Sequence, residues 1–249
     1  MMKPVVELEQ VSKIYGSGKA KVEALKDVDF KIKSGEFVSI IGPSGSGKST
    51  MLNMIGVLDR PTHGEIWIDG KEVEKLSDDK LAIIRGKKIG FVFQFFNLIP
   101  TLTALENVTL PMWFQGTERE KMDARGKKLL KLVGLGDRMD HKPNELSGGQ
   151  MQRVAIARSL ANNPEMILAD EPTGNLDTKT GAEILKLMKE LHKKEKKTLV
   201  MVTHDPRIAR MSERMVLLVD GKIHGDTDKK TEMKTLLKIV EGEKGYSRK

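Results

Sequence analysis

An α/β fold is what this sequence predicts: a parallel sheet covered on both faces, a smaller antiparallel β region, and a helical segment inserted between strands. Three observations carry that expectation. Four short apolar runs with polar exits, "EFVSIIG", "KIGFVFQ", "EMILADE" and "KTLVMVTH", read as strands buried on both faces, with ligands at their carboxyl ends. Three other stretches alternate apolar and polar residues, as half-buried antiparallel strands do. Between "FVFQ" and "LADE" the spacing turns helical, from about Phe95 to Pro143.

Along the chain, "VVELEQVSKIY" and "VDFKI" alternate and are separated by Gly-bearing turns. The buried run "EFVSIIG" follows, then the glycine-rich "GPSGSGKS" and a helix-like "STMLNMIGVL". "EIWIDG" alternates again, and "KIGFVFQ" is the second buried run. Inside the insertion, "TALENVTLPMWF" and "EREKMDARGKKLLKLVGLG" carry apolar residues at helical spacing, the second ending in Gly. "NELSGGQMQRVAIARSLA" is an amphipathic helix, "EMILADE" a strand, and "KLMKELHKKEKK" a surface helix with its lysines outward. "KTLVMVTH" is the fourth buried run, and "KKTEMKTLLKIVEGEKGYSRK" is read as a short helix with a frayed basic end.

Composition narrows the function classes. The 249 residues, 39% of them hydrophobic, suffice for a packed core. With no cysteine there are no disulfides, thiolate metal sites or cysteine nucleophiles, which fits a reducing interior. The start shows no secretory signal pattern, and apolar runs such as "MVLLV" fall far short of the roughly 18 residues of a spanning helix. A cytoplasmic protein that reaches a membrane only through a partner is the expectation. The net charge of +8 suits an anionic surface, yet the lysines of an ordinary solvated helix account for it.

The chemistry-bearing residues sit at strand exits. Gly42, Pro43, Ser44, Gly45, Ser46, Gly47, Lys48 and Ser49 fit G-x-x-x-x-G-K-[ST] between a strand and a helix, the context in which successive amides converge on phosphates. Lys48 adds a point charge for the β and γ oxygens, Ser49 offers a hydroxyl to Mg²⁺, and Thr50 lies within reach of the α-phosphate. Asp170 and Glu171 end "EMILADE", where Asp170 suits the metal shell and Glu171 suits a general base for water. Gln94 and His204 each close a buried strand. Alone either reads as an ordinary loop residue, but at that rim Gln94 suits metal and attacking water and His204 the γ-phosphate. His63, His141, His192 and His224 lack such placement and read as structural.

A phosphate loop alone leaves kinases, GTPases, helicases and recombinases open. Leu146 to Gln150, reading LSGGQ, narrow the choice. With them the chain resembles the nucleotide-binding subunit of ATP-binding-cassette (ABC) transporters, to about residue 225 and with every motif in family order. The resemblance implies a P-loop NTPase fold with a RecA-like core and antiparallel β subdomain (1–94 and 144–229). It also implies a helical subdomain at about 95–143 extending into the signature helix, and a C-terminal helix and tail at 230–249. It implies ATP and Mg²⁺ as ligands, with Ser49, Gln94 and Asp170 about the metal. Tyr15 matches the aromatic that stacks on adenine, Gln94 the Q-loop, Asp177 the D-loop and His204 the switch histidine. In the family the signature serves the other ATP: Ser147, Gly148, Gly149 and Gln150 of one copy face the γ-phosphate cradled by Lys48 of a second copy.

Fragments such as "GFVFQFFNLIPTLTALENVTLP" and "LADEPTGNLD" look most like the branch of lipoprotein-release and macrolide-efflux ATPases. Ser159 and Met151 depart from it slightly on one helix. A separate membrane permease is then expected to contact the segment Gln94 to Leu102, where Phe95, Phe96, Leu98, Ile99 and Leu102 cluster. Two readings compete with the transport ATPase: an ATP-dependent docking module of a cell-division type complex, and a soluble ABC ATPase acting on nucleic acid. The second would need a long coiled coil or two cassettes, which the chain lacks, so no nucleic-acid partner is expected.

Overall fold

The computed structural model describes residues 4–240; the basic end expected beyond them lies outside the described residues. In chain order the first elements are β1 (Pro4–Tyr15), β2 (Val22–Lys33), β3 (Phe37–Ile41), α1 (Lys48–Ile55), β4 (His63–Ile68) and β5 (Lys71–Glu72). Next come α2 (Asp78–Lys88), β6 (Ile89–Val92), α3 (Ala104–Phe114), α4 (Arg119–Leu132), α5 (Gly148–Ser159), β7 (Met166–Asp170) and α6 (Thr178–Glu195). The last are β8 (Thr198–Thr203), α7 (Pro206–Ala209), β9 (Arg214–Val219), β10 (Lys222–Thr227) and α8 (Lys230–Val240). Two compact units result, one from the segments up to Ser77 and from Thr198 onward, the other from Asp78 to Lys197.

The first unit holds an antiparallel sheet in the order β2-β1-β4-β5. Its register sets Val6 against Ile32 and Ile68, and Leu8 against Phe30 and Ile66, and all six side chains are buried. The alternation read from the sequence is therefore the buried face of a real sheet, each such residue contributing about 1.5–3 kcal/mol. Beside it in the same unit, β3 runs parallel to both β8 and β9, and every residue of β3 and β8 is buried. The chain then doubles back from β9 into antiparallel β10.

That hairpin and β4–β5 share a signal. Each turns on Asp-Gly with both residues at positive φ, Asp69 (49°) and Gly70 (73°), Asp220 (46°) and Gly221 (82°), the backbone that a two-residue type I′ turn demands. Arg214 ties β9 to its surroundings. It donates to Asp226 at 2.6 and 2.7 Å, to Glu36 at 3.1 Å and to the Lys31 carbonyl at 2.8 Å, and it lies over the Phe30 ring. The predicted C-terminal helix is α8, whose Met233 and Leu237 pack against Ile41, Met215 and Leu217.

The second unit pairs β6 with β7 in parallel and packs α3, α4 and α5 together. It contains the 95–143 segment expected to be helical, and it also takes in α2, which sequence periodicity did not single out. α3 opens on a reciprocal cap, Thr103 Oγ1 accepting from Glu106 N–H and Glu106 accepting from Thr103 N–H. Gly90 of β6 lets α5 approach: a Cβ there would fall 2.2 Å from the Ser159 carbonyl oxygen. The Ser159 hydroxyl donates to Ile156 O at 2.7 Å, so that departure from the branch pattern is a satisfied polar group.

Candidate functional site

The phosphate loop leaves β3 at Ile41 and enters α1 at Lys48. Gly47 stands at φ 99°, and a Cβ on it would lie 2.3 Å from the Ala24 carbonyl, so both backbone and space require glycine. No side chain caps α1, whose first intrahelical bond runs from Met51 N–H to Gly47 O at 2.8 Å. First-turn amides lack intrahelical partners and point past the helix start, which suits phosphate. Pro43, Ser44, Gly45 and Ser49 are exposed, Thr50 is half-buried, and Gly42, Ser46 and Lys48 are buried. The Lys48 ammonium donates to Gly42 O at 3.0 Å and Pro43 O at 2.8 Å, curled onto its own loop. The loop is braced from behind by the β9–β10 turn, Gly221 N–H donating to Ser46 O at 3.0 Å.

Tyr15 ends β1, 39% exposed and beside the same helix start. Its hydroxyl donates to Asp59 at 3.1 Å and is hydrogen-bonded to Thr50, while Lys13 Nζ stands 5.0 Å over the ring. Burial first, then the Asp59 carboxylate, push the phenol upward against the Thr50 bond. Burial would raise Asp59 too, but bonds from Lys13, the Arg60 amide and Tyr15 hold it below the usual carboxylate range. Sequence reasoning did not find Lys13 and Asp59 as the holders of Tyr15, because their link spans 46 residues. His204 follows β8 and is exposed.

The other named residues belong to the second unit. Asp170 ends β7 and is half-buried. Glu171 follows at φ 43° although it precedes a proline, a position normally forced to extended, negative-φ backbone. Such strain persists only where the surroundings impose it. Gln94 Nε2 donates to Asn175 Oδ1 at 3.4 Å, and Asn175 Nδ2 donates to Gln94 O at 3.0 Å, so these loops are stitched together. Asp177 is the N-cap of α6, accepting from the Lys179 and Thr180 amides at 3.0 Å each. Bonding from Thr180 above all holds its carboxyl below the ordinary range.

The signature stretch starts α5. Exposed Ser147 is its N-cap: the hydroxyl accepts from Gln150 N–H at 3.3 Å and the Gln150 side chain accepts from Ser147 N–H at 2.8 Å. The Gln150 side-chain oxygen thus serves the cap. Gly149 is buried, and a Cβ on it would sit 2.3 Å from Thr180 Cγ2; on Gly148 it would sit 3.4 Å from Leu176. Of the predicted apolar cluster, Phe95 (72%) and Ile99 (37%) are exposed, and Phe96, Leu98 and Leu102 are half-buried.

Two residues the sequence did not flag hold that cluster's loop. Buried Asn107 bonds Ile99 N–H and the carbonyls of Ile99, Leu102 and Thr103 at 2.8–3.1 Å. Arg158 donates to Phe96 O and Asn97 O at 2.7 and 2.5 Å, over two residues at positive φ. Nothing in the spacing marks either one, since an Asn and an Arg on amphipathic helices read as surface residues.

Residues 25–174 match the family model described as ABC transporter. An uncharacterized ABC transporter ATP-binding protein of Thermotoga maritima is 58% identical over 90% of this chain and 95% of its own length. The macrolide export ATP-binding/permease protein MacB of Aggregatibacter actinomycetemcomitans is 45% identical over 98% of this chain, which spans 38% of that longer protein. A dimeric post-hydrolysis state of the ATP-binding cassette MJ0796 bound to ADP and Pi superposes with a TM-score of 0.83 at 54% identity, covering 89% of this chain and 97% of that one.

Proposed function

Because this chain belongs to the ABC transporter family, as an ATP-hydrolysing cassette, we propose that two copies close head to tail on two ATP molecules and so drive a membrane permease. The observation that carries the reading is that one chain presents two helix starts suited to phosphate, α1 behind Gly47 and α5 behind Ser147. In the dimer that the family resemblance implies, the first cradles the chain's own nucleotide and the second meets the nucleotide of the other copy. That the similar cassette MJ0796 is dimeric when bound to ADP and Pi supports a working pair of copies. Association costs about 4–15 kcal/mol in rigid-body freedom, so a polar interface holds only while charged ligands are clamped in it. Hydrolysis then opens what binding closed.

Tyr15 stacks on the adenine, the 42–50 loop cradles the phosphates, and Lys48 exchanges its loop carbonyls for the β and γ oxygens. Glu171 takes the proton of the attacking water, with His204 donating to the γ-phosphate and Gln94 ordering that water. Asp177 sets the start of α6 at the dimer seam. The donor set fits Mg²⁺, a hard cation served by oxygens. The Gln94 amide nitrogen is engaged by Asn175, which leaves its carboxamide oxygen to ligate, alongside the Ser49 hydroxyl and the Asp170 carboxylate. Bound there, Mg²⁺ would neutralise charge on the β- and γ-phosphates.

Phe95 and Ile99, held out by Asn107 and Arg158, are the apolar contact for the permease, which keeps the cassette at the inner face of the membrane. Among the described residues no helix is long and apolar enough to cross a membrane. The kinship with MacB and the branch resemblance favour efflux or lipoprotein and lipid extraction as the work done. Glu171→Gln is the test: ATP binding persists, turnover falls by at least about a hundredfold, and size-exclusion chromatography with ATP shows a stable dimer. Wild-type turnover in that variant would sink the assignment.

A further inference from the structure

Inside the second unit, the signature helix and the segment after β7 meet along a seam that the roles above do not use. Gly149 is packed so closely on Thr180 that a methyl would not fit, and Gly148 faces Leu176. Arg153, one turn on, reaches Glu183 at 2.9 Å. Between these contacts lies Gln152, fully buried, whose Nε2 donates to the Pro172 carbonyl at 2.7 Å. Its Oε1 is buried and, among the described residues, has no hydrogen-bond partner.

Half of this amide is therefore desolvated for nothing, a cost that leucine or methionine of similar size would not carry. Packing alone does not account for a glutamine here. What the other half holds does: the Pro172 carbonyl directly follows Glu171, which keeps φ 43° against the preference of a residue before proline. One peptide earlier, Gly174 N–H returns to Glu171 O at 3.0 Å. The chain just after the strained residue is thus held twice, by its own turn and by α5. The amide cannot be turned over, because Oε1 would then face another carbonyl oxygen.

We infer that Gln152 is a positioning residue for hydrolysis, fixing the Glu171 carboxylate from the flank of the signature helix. The inference rests on the reading of Glu171 as general base and of α5 as the surface that meets the second copy's nucleotide. Its consequence is a physical link between the two ATP sites. The helix whose start contacts one nucleotide holds, five residues on from Ser147, the acid that serves the other.

Gln152→Leu tests it, with Gln152→Met as a second variant of nearly the same volume. In both, kcat should fall about tenfold or more, since small misplacements of a reacting group are costly. The ATP KM and nucleotide affinity of the monomer should stay within about twofold, and the melting temperature should change little, because the Pro172 carbonyl loses its donor as the unpaired Oε1 disappears. The ATP-bound dimer should live correspondingly longer, and adding Gln152→Leu to Glu171→Gln should change turnover no further. Unchanged kcat in either variant would overturn the inference, as would a kcat loss that tracks a fall in melting temperature or two variants that both fail to fold. Wild-type turnover in Glu171→Gln would instead refute the base itself; an inactive Glu171→Gln beside a fully active Gln152→Leu refutes only the positioning role.

Discussion

The two helix starts, α1 after Gly47 and α5 after Ser147, look alike in sequence and are built differently. Both follow Ser- and Gly-rich turns, and both can receive an anion. α1 begins on a glycine with no side chain to cap it, and its lysine is curled onto loop carbonyls. α5 begins on a closed capping box and is wedged by Gly149 against Thr180. On the proposed function, the first start is left for its ligand to complete, whereas the second is already closed by its own cap. This is the division of labour expected of a cradle that must capture a nucleotide and a rigid face that must recognise one already captured.

Breaking the rigid face should have the largest effect. Gly149→Ala puts a methyl onto Thr180 Cγ2 and should abolish ATP-dependent dimerisation in size-exclusion chromatography. Monomer affinity for ATP should stay within about twofold, as distant sites are independent. Thr180→Ala added to it should restore dimerisation; failure to do so would mean the seam is not what matters. Next comes the cradle: Lys48→Ala removes a charge-assisted contact of about 1.5–3 kcal/mol, so calorimetry should find ATP binding roughly tenfold to a hundredfold weaker. Loss confined to dimerisation would refute the contrast.

Ser147→Ala should cost about 1 kcal/mol of helix cap, lowering the melting temperature by roughly 2–4 °C, with monomer ATP binding intact. The smallest effect is acid sensitivity. Asp177 and Glu106, both caps, have carboxyls held below their ordinary values, Glu106 chiefly by the Thr103 amide. A depressed pKa stabilises above the unfolded value and is lost as pH falls through the folded one. Melting temperature should thus be flat near neutrality and fall only below the ordinary carboxylate range. Asp177→Asn keeps a cap and should flatten that fall, because the unfolded chain then has one fewer carboxylate to protonate.

The strands were legible wherever period decided: β1 and β4 by alternation, β3, β6, β7 and β8 by unbroken apolar runs. β9 and β10 were not singled out, although the Asp220-Gly221 turn that joins them repeats the Asp69-Gly70 signal of β4–β5. α2 escaped because only Leu81 of its eleven residues is buried, leaving no apolar stripe to read. In the site, the phosphate loop, Asp170–Glu171 and LSGGQ were legible because their chemistry is contiguous. Asn107, Arg158, Gln152 and the Lys13–Asp59 support of Tyr15 were not, because each acts on a residue far away in the chain.

The sequence by itself determined the class of fold and the inventory of reacting groups, since local periodicity and short motifs depend only on neighbours in the chain. Only the tertiary structure decided how those groups are held. The left-handed backbone of Glu171, the Gly149–Thr180 contact and the buried amide of Gln152 depend on which distant segments pack together, and that is set by burial and hydrogen bonding across the fold rather than by spacing along it.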